Sequence, residues 1–124
     1  MHNTKALRTV LTGRLAAVCP RVYYAQAKSG TERPYLVYTL DTLAKEYGRE
    51  TMELEINAVD YGTDTAPCEA LADAVEGVLE GWHHLDEDLQ CSAYPDRRQT
   101  VTEEDRRIIR RRLLGELHIY ERSE

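Results

Sequence analysis

The segment that decides the fold is Met52-Glu-Leu-Glu-Ile-Asn-Ala-Val-Asp-Tyr61. In its first half apolar residues alternate strictly with polar ones, which is the period-two pattern of a β-strand with one buried face. Leu54 and Ile56 point to one side, whereas Glu53 and Glu55 point to the other. A sheet with one polar face is antiparallel in character. We therefore predict that this segment is a strand of an antiparallel sheet.

Two further strands are predicted before this segment. Val22–Tyr24 and Tyr35–Leu40 are short runs rich in β-branched and aromatic residues, which favour strands. The pattern then weakens, so residues 41–50 are predicted to form a polar loop. Gly48 supplies the positive φ that a turn in this loop requires.

Two amphipathic helices are predicted, one before and one after these strands. The first runs from Thr4 to Val18 and ends before Pro20, which cannot donate the next helical hydrogen bond. The second runs from about Ala66 to Gly81, with Asp64 or Thr65 as its N-cap. The apolar residues recur at helical spacing: Leu7, Val10, Leu11, Leu15 and Val18 in the first helix, and Leu71, Val75, Val78, Leu79 and Trp82 in the second.

The last third of the chain carries mixed signals. Leu89–Ala93 is predicted to be a strand and Arg97–Asp105 a polar connection. Residues 103–112 fit either a short helix or a strand, but the alternation that follows them favours a strand from Ile108 to Tyr120. The order of elements predicts one α+β domain over residues 1–124, with an antiparallel sheet of about four to five strands and both helices on one face.

The composition, 42% hydrophobic and 31% charged, is that of an ordinary soluble globular protein. The net charge of −6 argues against nucleic-acid binding, and no recognition of a nucleic-acid sequence is expected. The N-terminus is polar and no apolar run approaches membrane-spanning length, so we expect neither a signal peptide nor a membrane partner. Three widely spaced cysteines without a Cys-x-x-Cys pair indicate free thiols and synthesis in a reducing cytoplasm.

The charges are distributed unevenly along the chain. Residues 64–90 hold eight acids and no Lys or Arg, whereas residues 97–112 hold seven Arg. Two patches of opposite sign suit a contact between copies of the chain, although two solvated faces explain the same pattern. The polar loop at residues 41–50 is a third candidate contact. The predicted interface residues are Arg110, Arg112, Glu69, Asp73, Glu76, Glu80, Lys45, Tyr47 and Arg49.

No residue pattern points to catalysis, a metal or a cofactor. His83 and His84 lie beside a run of acids, but adjacent histidines point apart and rarely bind one ion. Cys68 lies in the first turn of the second helix, where the helix dipole lowers a thiol pKa. It also lies on the apolar stripe of that helix, which indicates core packing. We therefore predict that the protein is not an enzyme and has no catalytic, metal or cofactor residues.

Taken in order, the elements resemble the tail terminator, or tail completion, proteins of long-tailed phages and prophages, a family of minor tail proteins. The resemblance covers nearly the whole chain and rests on order and spacing. The residues that carry it are the helix Lys5–Val18, the strand Arg33-Pro-Tyr-Leu-Val-Tyr38, the strand Leu54-Glu-Ile-Asn-Ala-Val-Asp60, the helix around Ala70-Leu-Ala-Asp-Ala-Val75 and the closing strand Leu113–Tyr120.

This resemblance implies a virion protein that assembles in the host cytoplasm into a ring, usually of six copies. The ring caps the head-proximal end of the tail tube, ends tube polymerisation and docks to the head–tail connector. Its expected partners are thus its own copies, the tail tube protein and connector proteins. Two alternatives remain open at this point: another head–tail joining protein, such as a neck adaptor or stopper, and a small ligand-binding or enzymatic α+β domain.

Overall fold

The computed structural model describes residues 4–28 and 30–120 and contains two helices and a six-stranded sheet. The strand order in the sheet is β1-β2-β3-β6-β5-β4. The elements are α1 (Thr4–Ala16), β1 (Val22–Tyr24), β2 (Tyr35–Glu46), β3 (Arg49–Tyr61), α2 (Ala66–Leu79), β4 (His83–Leu85), β5 (Gln90–Val101) and β6 (Ile108–Tyr120).

The strand predicted at Met52–Tyr61 is confirmed and lies at the centre of the sheet. As β3, it is hydrogen-bonded to β2 along one edge and to β6 along the other, both antiparallel. Leu54 and Ile56 are buried on the face that meets the helices, as the alternation predicts. The strand begins three residues earlier than predicted, because β6 and β2 continue to pair with its first residues.

The prediction of a polar loop at residues 41–50 is wrong. β2 continues to Glu46 and β3 begins at Arg49, so only Tyr47 and Gly48 form the turn between them. Gly48 has φ +80°, which confirms its predicted conformation. The last six residues of β2 are exposed, so no buried face imposes an alternating pattern on that part of the sequence. The hydrogen-bonded ladder with β3 forms this extension of the hairpin, residues 41–50, which we call the arm.

The predicted sheet of four to five antiparallel strands is corrected to a curled, mixed sheet of six. β1 pairs in parallel with β2, and β4 is a three-residue edge strand. β5 extends to Val101, so much of the connection predicted at Arg97–Asp105 is strand. Ile108–Tyr120 is a strand as predicted, and residues 103–107 are not helical.

Both helices are anchored through buried side chains that belong to one hydrophobic core. α1 buries Leu7, Leu11 and Leu15, and it ends two residues before the predicted Val18. The Tyr38 hydroxyl of β2 donates a hydrogen bond to the Arg8 carbonyl oxygen of α1 at 3.1 Å. α2 also ends two residues earlier than predicted, and its buried residues are Cys68, Leu71, Ala72, Val75 and Leu79.

Gly115 in β6 allows β5 to come unusually close. A Cβ atom at Gly115 would lie 2.7 Å from the Tyr94 carbonyl oxygen and 3.0 Å from Pro95 Cα, both backbone atoms. The register of β5 shifts between Pro95 and Arg97, which leaves Asp96 as a bulge. A side chain at Gly115 would therefore force the two strands apart.

We expect Gly115→Ala to lower the free energy of unfolding by about 1–3 kcal/mol, because the added methyl group meets backbone that cannot rotate away. Gly77→Ala is the matched control, since a Cβ there meets nothing within 4 Å. In a helix, that change should be neutral or should stabilise by up to about 1 kcal/mol. Urea unfolding followed by circular dichroism measures both, and equal stability of the two variants would contradict the close approach of the strands.

Candidate assembly interface

Three of the acids predicted to form an interface on α2 converge on one arginine of the same chain. The Arg98 guanidinium lies 2.7 Å from Asp73, 3.1 Å from Glu76 and 3.9 Å from Glu69. The hydrogen bond with Asp73 is the largest cause that raises the pKa of Arg98. This cluster ties α2 to β5 and places the two charge patches in contact within one chain.

The arginines of β6 divide between the two faces of the sheet. Arg111 points toward α2 and forms an ion pair with Glu69. Arg110 and Arg112 point to the opposite, open face, where Arg110 Nε lies 2.7 Å from Glu103. Arg112 Nε lies 3.7 Å from a Glu55 carboxylate oxygen. The acids of α2 and the two predicted interface arginines are thus on opposite sides of the sheet.

Sequence reasoning missed Arg98 and Arg111 as the partners of the α2 acids. The signal for Arg111 was present, because alternation along a strand places it opposite its two arginine neighbours. No signal identified Arg98, since the sequence around it was interpreted as a connection between strands. Whether Arg110 and Arg112 also contact another copy of the chain stays a prediction.

The arm brings together the other predicted contact residues, Lys45, Tyr47 and Arg49. Tyr47 occupies the turn and is fully exposed, and Leu43 is 53% exposed at a β-bulge in the arm. Arg49 forms an ion pair with Glu46 across the turn, at 3.3 Å. Two large apolar side chains on an extended, polar hairpin make the arm a candidate contact surface.

A cavity of about 160 Å³ lies between the C-terminal end of α2 and the bulged part of β5, and we call it the α2 crevice. The close approach of β5 to Gly115 forms one of its walls. Its buried lining is apolar and consists of Leu54, Ile56, Leu79, Ala93, Leu113 and Leu114. Its charged lining is mostly acidic and consists of Glu76, Glu80, Asp96, Arg97 and Glu116. The predicted interface residue Glu80 thus lines the crevice, and Glu76 belongs both to the crevice and to the Arg98 cluster.

The outer edges of the sheet are only partly covered by other strands. β1 pairs with three residues of β2, and β4 pairs with three residues of β5. Within residues 4–28 and 30–120, no strand therefore pairs with the outer edge of β2 from Thr39 onward or of β5 from Tyr94 onward. A bulge interrupts each exposed edge, and Pro95 has no backbone N–H to donate. Both features hinder the pairing of a further strand with these edges.

The thiols are held in the core rather than in a reactive site. Burial raises the pKa of Cys91 to about 11 and also raises the pKa of Cys68. The Cys68 thiol donates to the Ala58 carbonyl oxygen at 3.3 Å, which agrees with the predicted core role. His83 and His84 have separate partners, with His83 Nδ1 2.6 Å from the Ser92 hydroxyl and His84 Nε2 2.6 Å from Asp86.

Residues 4–28 and 30–120 contain neither a metal-binding cluster nor a helix that could span a membrane. No three His, Cys, Asp or Glu side chains in these ranges are grouped to hold a metal ion. Neither α1 nor α2 is long and apolar enough to cross a membrane.

Comparisons with known proteins define the class of fold. No family model matches the chain, and no curated protein matches it. A chain from a structure of the virion of a native gene transfer agent particle aligns with a TM-score of 0.69 and 18% identity, covering 86% of this chain and 84% of that one. A second solved protein, known only by a sequence identifier, aligns with a TM-score of 0.70 and 13% identity over 98% of this chain and 99% of that one. The chain therefore shares its α+β fold, over most of its length, with a chain of a gene transfer agent virion.

We expect Arg98→Met to lower the free energy of unfolding by about 1 kcal/mol at low salt, because three carboxylates lose their shared cation while the apolar stem is kept. The matched control is Arg97→Met, which removes an exposed charge on the neighbouring residue. Urea unfolding at about 0.05 M and 1 M salt tests the difference, which should shrink as salt screens the pairs. Equal losses in both variants would show that the cluster adds no stability.

The native thiols should react slowly with an aromatic disulfide reagent at pH 8. Cys68 and Cys91 are fully buried and their pKa values are raised, so little thiolate forms and access is blocked. In urea all three thiols should react at the rate of a free cysteine. Rapid labelling of Cys68 or Cys91 in the folded protein, identified by mass spectrometry, would contradict their core placement.

Proposed function

We propose that this protein is a structural component of a phage or phage-like particle that forms a ring at the head-proximal end of the tail tube. In this role the ring ends tube polymerisation and joins the tail to the head. The observation that carries the proposal is the alignment of 86% of the chain with a chain of a gene transfer agent virion at a TM-score of 0.69. The sequence resemblance to tail terminator proteins supports the specific position in the tail.

The surface of the chain also supports a role in assembly. A closed ring requires two different surfaces on each copy, because its contacts are head-to-tail. The arm is one candidate surface, with Leu43 and Tyr47 exposed far beyond what the fold of one chain requires. The α2 crevice is a second surface of different shape and charge. The proposed partners are therefore further copies of the chain, the tail tube protein and the connector of the head.

A structural role also agrees with the chemistry of the described side chains. The buried thiols have raised pKa values, and the arginines of the main charge cluster are occupied by carboxylates of the same chain. Positions such as Arg98 and Arg111 hold the fold together. We propose that the protein acts through the contacts of its surface and performs no catalysis.

Self-association is the first test of this function. Light-scattering mass after gel filtration, at two protein concentrations and at low and high salt, should reveal a species of about six copies of the 14.2 kDa chain. Negative-stain images of that species should show rings. A monomer under all conditions would contradict a ring that forms in solution.

Particle assembly without this protein distinguishes a terminator from a neck protein. If the ring ends polymerisation, tail tubes formed in its absence should vary in length and exceed those of normal particles, as measured by electron microscopy. Tubes of normal length that lack heads would instead assign the chain to a neck adaptor or stopper. Complete, infectious or gene-transferring particles formed without the protein would contradict both roles.

A further inference from the structure

We propose that the Tyr47 side chain of one copy binds in the α2 crevice of a neighbouring copy. This inference deepens the proposed function, on which it rests, by assigning the two surfaces that join the subunits of the ring. It starts from the exposure of Tyr47, which has no contact with the body of its own chain and stands at the tip of the arm.

The size and lining of the crevice fit an aromatic ring. Its volume of about 160 Å³ is close to the roughly 150 Å³ of an apolar cavity that holds benzene. Buried aliphatic side chains such as Leu54, Leu79 and Leu113 supply apolar contacts for the two faces of a phenol ring. The carboxylates at the mouth, including Glu80 and Asp96, can accept a hydrogen bond from its hydroxyl group. Tyr is also among the residues that most often anchor protein interfaces.

The arm carries two cations beside Tyr47, but residues 41–50 hold three acids and two bases in all. Four acids and one arginine line the crevice, so its mouth carries a net negative charge. Lys45 and Arg49 flank Tyr47 on the arm and would approach this mouth together with the ring. Glu46 forms an ion pair with Arg49, and Glu50 lies opposite Lys45 in the strand register, so the contact is expected to depend on apolar packing of the ring more than on net charge.

The arm cannot reach the crevice of its own chain. Arg49, beside the turn, pairs with Tyr120 of β6, which holds the tip of the arm at the end of the sheet. Leu54, in the floor of the crevice, lies five residues further along β3, which is about 17 Å at about 3.4 Å per residue. The intervening residues are hydrogen-bonded on both edges and hold the arm extended. A second copy must therefore provide the tyrosine, and the resulting contact is head-to-tail, as a ring requires.

The exposed edges of β2 and β5 are poorly suited to pairing with a further strand, so we expect copies of the chain to meet through a docked side chain. Both exposed edges contain a bulge, and Pro95 removes a donor from β5 beside the crevice. The same bulge, at Asp96, helps to form the wall of the crevice. The feature that limits strand pairing at this edge thus creates the pocket.

Light scattering of point variants tests the contact within the assembled protein. Tyr47→Ala should raise the concentration needed for half-assembly by at least about tenfold, whereas Tyr47→Phe should keep most of the affinity because the ring remains. Leu85→Ala is the matched control, since Leu85 is 58% exposed on β4 and lies outside the arm. Melting temperatures should be unchanged in all three, because neither residue is buried.

A disulfide trap gives a second measurement that does not depend on a stable ring. Tyr47→Cys chains mixed with Glu80→Cys chains should form a mixed disulfide dimer under mild oxidation, while Thr63→Cys chains, with an exposed cysteine after the far end of β3, should not. The trap supports the inference even for a chain that is monomeric in light scattering, because it captures a weak contact.

The outcomes separate this inference from the proposed function. Rings that assemble equally well with Tyr47→Ala and give no specific disulfide would overturn the inference and leave the ring intact. A chain that stays monomeric and gives no specific disulfide would overturn the inference and also the ring in solution. A Tyr47→Ala variant that assembles normally but fails to bind tail tubes would assign the arm to the tube, and would likewise overturn the contact between copies.

Discussion

The pairing of β3 along both of its edges is the constraint on which the rest of the structure depends. Thirteen residues of β3 face thirteen of β6, and β2 covers the other edge. Once this ladder is formed, one face of the sheet must be covered by the helices, because Leu54 and Ile56 point there. The same ladder holds the arm extended into solvent. The core and the proposed contact surface thus have a common origin.

The acidic and basic patches have a different role from the one that their separation in sequence suggests. Folding brings β5 and β6 beside α2, so Arg98 and Arg111 form ion pairs with Glu69, Asp73 and Glu76 within one chain. Side chains that already form ion pairs within one chain gain little binding free energy from a charged group of another copy, because burying them in an interface costs further desolvation free energy. Assembly is therefore expected to depend more on the shape and apolar surface of the arm and the α2 crevice than on attraction between two opposite patches.

Small departures from regular strand geometry generate the surfaces to which we assign function. Gly115 lets β5 approach β6, the bulge at Asp96 opens the α2 crevice, and Gly48 closes the turn that exposes Tyr47. Each of these features shapes the surface of the single chain near the arm or the α2 crevice. A protein whose proposed role is to join other proteins would act through such surfaces, in contrast to an enzyme, whose chemistry is concentrated in a few reactive groups.

The sequence by itself determined the elements that bury a face. Alternation identified β3 and the end of β6, and helical spacing identified α1 and α2, because burial imposes a period on the sequence. Their order was also sufficient to suggest a tail protein, whereas the structural alignment establishes only a shared fold with a virion chain. The second half of β2 and the segment Arg97–Val101 were missed, since none of their residues is buried and their strand state is imposed by neighbours. Only the tertiary structure decided which arginine meets which acid, and where the α2 crevice lies, because these depend on strand register and on bulges that couple residues far apart in the chain.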